Sequence, residues 1–161
     1  MVAKCWLLAT LMLAASSAWA DCQKSTVALD SMAETGITLQ GPGDRSVELT
    51  ARVADDNRER AGGFQYICPQ TINMTSIYFE FDRAYRPSFH MHNVEAPLDI
   101  AFVDPHGVIL DIQRMEPYTL GATHFRYYSP PGAVVAALET RAGYFEEKGI
   151  TAGDWSVKAP Q

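Results

Sequence analysis

From Ser46 onward the chain alternates. Val47, Leu49, Ala51 and Val53 fall between Ser46, Glu48, Thr50 and Arg52, the period of two that marks a strand with one buried face. Asp55 or Asp56 then stands as an N-cap before Asn57-Arg58-Glu59-Arg60-Ala61, and Gly62-Gly63 stops the run. A helix of about two turns is expected there, with Glu59 in its first turns complementing the dipole. So short a helix needs packing to persist in water. Strand character returns over 74–81, where Ile77, Phe79 and Phe81 share a face, and over 88–93, where Phe89 and Met91 alternate with His90 and His92. Leu98, Ile100 and Phe102 point together over 98–104, and Pro105-His106-Gly107 predicts a hairpin into 108–115.

Residues 116–131 read as a loop punctuated by Pro117, Gly121, Pro130 and Pro131. An apolar strand is expected over 133–140, a short helix over 143–148 ended by Gly149, and a last strand over 154–158 with Trp155 and Val157 on one face. Residues 21–45 are polar, contain Gly41-Pro42-Gly43 and hold no sustained period, so they are read as an N-terminal arm with one short strand at 37–40. Many short strands, regular turn signals and two short helices predict a mainly β, compact single-domain fold over 46–158, built as a β-sandwich or barrel.

The first twenty residues follow another rule. Lys4 supplies a positive start, Cys5 to Ala15 an apolar stretch, and Ala18-Trp19-Ala20 a small-x-small cleavage site. That is the pattern of a secretory signal peptide over 1–20, cleaved after Ala20. The apolar run of about 11 residues is short of the roughly 20 that a membrane-spanning helix needs. Cys22 follows Asp21 rather than a small residue, which argues against lipidation. The expected location is the periplasm or the exterior. With 13 basic and 19 acidic residues the formal charge is −6, and loss of Lys4 makes the mature chain more acidic. Such a chain, with no basic cluster, is not expected to bind nucleic acid, and no later stretch is expected to span a membrane. Export also changes the meaning of the cysteines. Cys5 leaves with the leader, and the pair that stays, Cys22 and Cys68, is expected to close as a disulfide. The chain-entropy gain is roughly 4 kcal/mol. Two free thiols or a metal-binding pair are the alternatives.

Three segments carry a family resemblance. VADDNRERAGGF is similar to V-A-D-x-x-x-E-R-x-x-G-L. FHMHNVEAPLDIAFVDPHGVILDI is similar to F-W-M-K-N-T-x-x-P-L-D-I-x-F-x-D-x-x-G-x-I. LETRAGYFEEKGITAGD is similar to L-E-x-x-A-G-W-x-x-x-x-G-I-x-x-G-D. The chain thus resembles the domain-of-unknown-function 192 family, also called uncharacterised protein family 0127, from about Ser46 to Val157. The resemblance implies a compact β domain, commonly exported in bacteria, and no activity. This chain departs from the pattern at His90 and His92, which replace Trp and Lys. It departs also at Val94, which replaces Thr, and at Gly63-Phe64, where Gly-Leu is usual. Ile67 stands where an Arg is expected.

His90-x-His92 is the sharpest chemical feature. Alternate strand positions would set both imidazoles on one face, about 6–7 Å apart, a spacing that suits two ligands of one metal ion. No third ligand is fixed by spacing, and the plainer reading is a solvated pair on a strand that buries Phe89 and Met91. Asn93 and Asp99 lie close in sequence. Asp99 reads either as a ligand-contacting group or as a buried, hydrogen-bonded carboxylate. Tyr118, His124, Phe125, Tyr127 and Tyr128 crowd the 116–131 loop and could meet a partner or pack as a lid. There is no Gly-x-Ser-x-Gly elbow, and no nucleophile is tied to a base by motif. The reading is a non-catalytic binding or accessory module for a small molecule or a protein, its site where 90–99 meets the aromatic loop. A metal-binding protein using His90 and His92, and then a small hydrolase, are the alternatives. No cofactor other than such a metal is implied.

Overall fold

The computed structural model describes residues 22–119, 121 and 123–159, so the expected leader and its cleavage junction lie outside the described residues. A short helix α1 (Val27–Ser31) is capped by Thr26, whose hydroxyl accepts from the Leu29 N–H at 3.2 Å. It leads into β1 (Ala33–Gln40), which pairs antiparallel along its whole length with β2 (Ser46–Ala54). The short strand expected at 37–40 is thus an eight-residue inner strand. Its first half is exposed or half-buried and only Ile37 and Leu39 are buried, so its register comes from its partner rather than from a hydrophobic period.

Beyond β2 the helical expectation holds. In α2 (Asn57–Gly62), Asp56 accepts from the Glu59 N–H at 2.8 Å, and the Glu59 carboxylate accepts from the Asp55 N–H at 3.2 Å. The arrangement is close to a capping box, with Glu59 reaching the N–H one residue before the N-cap. A one-turn helix α3 (Pro69–Ile72) follows, and the crossover returns the chain to β3 (Ile77–Tyr85), which runs parallel to β2. The remaining elements are β4 (Phe89–His90), β5 (Leu98–Val103), β6 (Ile109–Met115), β7 (Tyr127–Tyr128), β8 (Val134–Arg141), α4 (Tyr144–Lys148) and β9 (Ser156–Lys158). Among the described residues there are four short helices rather than two, and the fold is mainly β.

The main sheet has the order β6-β5-β8-β3-β2-β1-β9, and β4 with β7 forms a separate ribbon. The hairpin between β5 and β6 turns as expected, with Gly107 at a φ of 82° and the Asp104 carboxylate accepting from the His106 and Val108 N–H groups. The two sheet edges meet. Val108 bridges Ser156, the Ile109 N–H donates to Trp155 O at 2.8 Å and the Val157 N–H to Gly107 O at 2.7 Å. The sheet is therefore curled toward a barrel, which removes open edges. One apolar cluster, including Leu39, Leu138, Phe145 and Trp155, fills one face. A second, including Phe64, Ile72, Phe79, Met91 and Phe102, lies on the other face beneath α1–α3 and the 89–96 segment.

Candidate functional site

The second cluster is incompletely filled. A cavity of about 150 Å³ opens between β3, the end of α2 and the 85–94 segment. Its floor is Glu139 on β8, which sits in register between Ile77 of β3 and Ile100 of β5. Phe79 and Phe81 of β3 form one wall, Phe64 and Arg60 another, and Phe89 and His90 of β4 a third. Two glycines shape the α2 side. A Cβ on Gly62 would lie 2.5 Å from the Ala28 side chain, so this position carries the close approach of α1 to α2. Gly63 takes a φ of 47° in turning the chain toward Phe64, a conformation that favours glycine.

Glu139 is 5% exposed. Among the described residues no group donates a hydrogen bond to its carboxyl and no cation pairs with it. Burial alone pushes its pKa from the ordinary 4.5 up to about 8, so at neutral pH it is a neutral acid with a proton to donate. The Arg60 guanidinium, the nearest cation on the walls, is held elsewhere, donating to Asp55 O, Glu80 O and the Asn57 amide oxygen. His90 is half-buried. Burial, and next the neighbouring His92, lower its pKa from 6.5, against a smaller opposing backbone contribution. Its Nδ1 accepts from the His92 N–H at 3.4 Å.

The structure brings His90 and His92 together with the aromatic loop, by a route other than a continuous strand. Strand geometry is limited to Phe89–His90. His92 lies in a turn in which the Val94 N–H donates to Met91 O at 3.3 Å and Asn93 takes a φ of 55°. The expectation of a strand over 88–93 is corrected accordingly: the Asn93 side chain is tied to Gln65 Oε1 at 3.0 Å and Tyr66 Oη at 2.8 Å, and these long-range bonds favour the turn. The two imidazoles nevertheless meet, ring centres 4.8 Å apart and nearly perpendicular. β7 pairs with β4, setting Tyr127 opposite His90 and Tyr128 opposite Phe89. Tyr118 and Phe125 close on His92 at 4.9 and 4.7 Å. The rings around the pair are aromatic carbon. Among the described residues no three His, Cys, Asp or Glu side chains gather as a metal-ligand set.

Asp99 does not join this cluster. It is buried on the opposite face of the sheet, where Arg114 donates to both carboxylate oxygens and the Gly143 N–H donates to Oδ2 at 2.7 Å. Of its two readings, the hydrogen-bonded one is what the structure contains. Cys22 and Cys68 are joined as a disulfide. Beside it, the Gln23 N–H donates to Tyr66 O and the Cys68 N–H to Gln23 O, so the N-terminal segment is laced to the α2–α3 connection beside the cavity. Sequence reasoning quoted Glu139 only as the acid of the closing L-E-x-x-A-G-W motif and gave it no role, because it stands in an otherwise apolar run. The available signals were that motif position and a lone acid two positions after Ala137, on a strand face otherwise given to apolar side chains.

A curled β domain with one lateral, acid-floored cavity is what fold and site define together. The chain belongs to the domain-of-unknown-function 192 family, the uncharacterised ACR family, whose model matches residues 38–156. No curated protein matches the sequence. Among solved structures, a candidate transcription regulator from Sinorhizobium meliloti 1021 superposes with a TM-score of 0.70 at 25% identity, over 80% of this chain and 95% of that one. A protein of unknown function from Novosphingobium aromaticivorans DSM 12444 superposes with a TM-score of 0.67 at 20% identity, over 83% of this chain and 98% of that one.

Proposed function

We propose that the mature chain is an exported, non-catalytic binding module, and that its site is the Glu139 cavity, taking a small molecule. The observation that carries this reading is the buried Glu139 carboxyl, which faces an open cavity with no protein partner. Its oxygens open onto the cavity rather than onto protein donors, so a ligand held there meets the carboxyl directly. The leader pattern over 1–20 and the disulfide favour an oxidising compartment such as the periplasm. The non-catalytic reading rests on the wiring of the walls. His90 Nδ1 accepts from the His92 N–H, and Arg60 is tied to the Asp55 and Glu80 carbonyls, so these wall groups are engaged in structural bonds.

Two measurements test the proposal. Mass spectrometry of protein collected from the periplasm should show a chain beginning at Asp21; an intact Met1 would end the export reading. A fragment screen by NMR should shift the signals of Phe89, His90 and Glu139, and Val94→Phe, which places a ring in the cavity, should abolish those shifts. Fragments that bind wild type and variant alike, or none at all, would remove the cavity as the site.

A further inference from the structure

Resting on the cavity as a binding site, we infer that its ligand is a small organic ammonium ion, the cationic head held against Glu139 and enclosed by Phe64, Phe79, Phe81, Tyr85 and Phe89.

Size sets the first bound. A cavity of about 150 Å³ takes a group about as large as benzene, so the space of about 150 Å³ here, open on one side, suits a trimethylammonium-sized head with the rest of a larger ligand lying outside. The walls set the second. Five aromatic rings contribute to one small space. Phe79 and Phe89 meet at 89° with centres 5.1 Å apart, and Phe81 and Tyr85 at 75° and 4.9 Å. Rings crossed in this way form corners rather than a flat stack. The faces of aromatic rings carry negative potential, which attracts a cation and repels a carbonyl or carboxylate oxygen.

Charge sets the third. Glu139 is the acid on the walls, and the other charged or titratable groups there are Arg60, Tyr85 and His90. Arg60 is committed to the Asp55 and Glu80 carbonyls and to Asn57. His90 is held in its neutral form by burial and by His92. The protein thus supplies a buried carboxyl and a lining of aromatic rings, while Arg60, on the wall, is tied to backbone carbonyls at the α2 end and does not offset the burial of Glu139. An ammonium ion satisfies both at once. Its arrival releases the Glu139 proton to solvent, and the carboxylate that remains is the counter-ion the ligand requires. A neutral ligand accepting a hydrogen bond from Glu139 would gain dispersion contact with the rings but not the electrostatic attraction they give a cation.

Choline and its carbon isostere 3,3-dimethylbutan-1-ol share a shape and differ in charge, so calorimetry with both decides the matter. Choline should bind at least about tenfold more tightly than the isostere, the gap expected when a desolvated cation meets aromatic faces. Titration near pH 7 in two buffers of different ionisation enthalpy should show about one proton released per choline bound. Glu139→Gln should weaken choline by about tenfold or more and leave the isostere unchanged. The proton count is read on wild type, so it stands even if the variant folds poorly. Phosphatidylcholine vesicles separate sources of the same chemistry: flotation of the protein, blocked by free choline, would assign the head to a lipid. If the isostere binds as tightly as choline, or no proton is released, the ammonium inference is overturned while the cavity reading survives. If neither compound nor any other fragment binds, both fall.

Discussion

Asp99 and Glu139 are both carboxyl groups sunk into the same sheet, 4% and 5% exposed, on neighbouring strands whose register sets Asp99 beside Thr140 and Ile100 beside Glu139. They face opposite ways. Asp99 looks into the side sealed by α4, where a guanidinium and a backbone N–H complete it. Glu139 looks into the side roofed by short, irregular segments, where no described residue does. Burial therefore marks neither as functional. The presence or absence of partners separates a carboxylate tied into the fold from an acid that faces a cavity.

The comparison can be broken at four points. The largest effect should come from the staple on the Glu139 side. Removing the Cys22–Cys68 bridge, whose cysteines are 46 residues apart, should cost roughly 4 kcal/mol by loop entropy. It should raise hydrogen exchange first in α1 and the α2–α3 connection while β5 and β6 stay protected. Uniform loss of protection would show that the two faces are not separately held. Next comes Asp99→Ala. It removes charge-assisted bonds, with the remaining Arg114 partly open to water, so a loss of about 2–3 kcal/mol in urea unfolding is expected. A loss below about 0.5 kcal/mol would deny Asp99 its structural role.

Glu139→Gln should behave in the opposite sense. Because burial raises the acid from 4.5 to about 8, the fold favours its protonated form. The stability linked to it is complete below the unfolded value of 4.5 and is lost as pH rises through about 8. The variant should match wild type below about pH 4.5 and become increasingly the more stable of the two as pH rises from there towards about 8. Parallel pH–stability curves would contradict the unpartnered burial. The smallest effect belongs to His92→Ala, which loses edge contacts with Tyr118 and Phe125. About 0.5–1 kcal/mol is expected, together with greater exposure of Tyr118 to a fluorescence quencher. An unchanged quenching profile would mean that the loop does not rest on the imidazole.

What the sequence determined by itself is local. The alternation over 46–54 makes β2, Asp56 and Glu59 cap α2, and Asp104 with Gly107 closes the β5–β6 hairpin, because each of these rests on neighbours a few residues away. Cysteine parity, on the expectation that Cys5 leaves with a leader, sufficed for the Cys22–Cys68 pairing. The nearness of His90, His92 and the aromatic loop could be anticipated in outline, since their rings concentrate in two short segments. Tertiary structure decided the rest. β1 carries only two buried side chains and no readable period, so its length and place come from β2. His92 leaves the strand because Gln65 and Tyr66, far back in the chain, hold Asn93 in a turn. Glu139 became the floor of a cavity through three elements that never meet in sequence, and its lack of a partner depends on Arg60 being tied elsewhere. Local patterns record which face of an element is buried; which groups meet on that face, and which are left without a partner, is set by long-range packing alone.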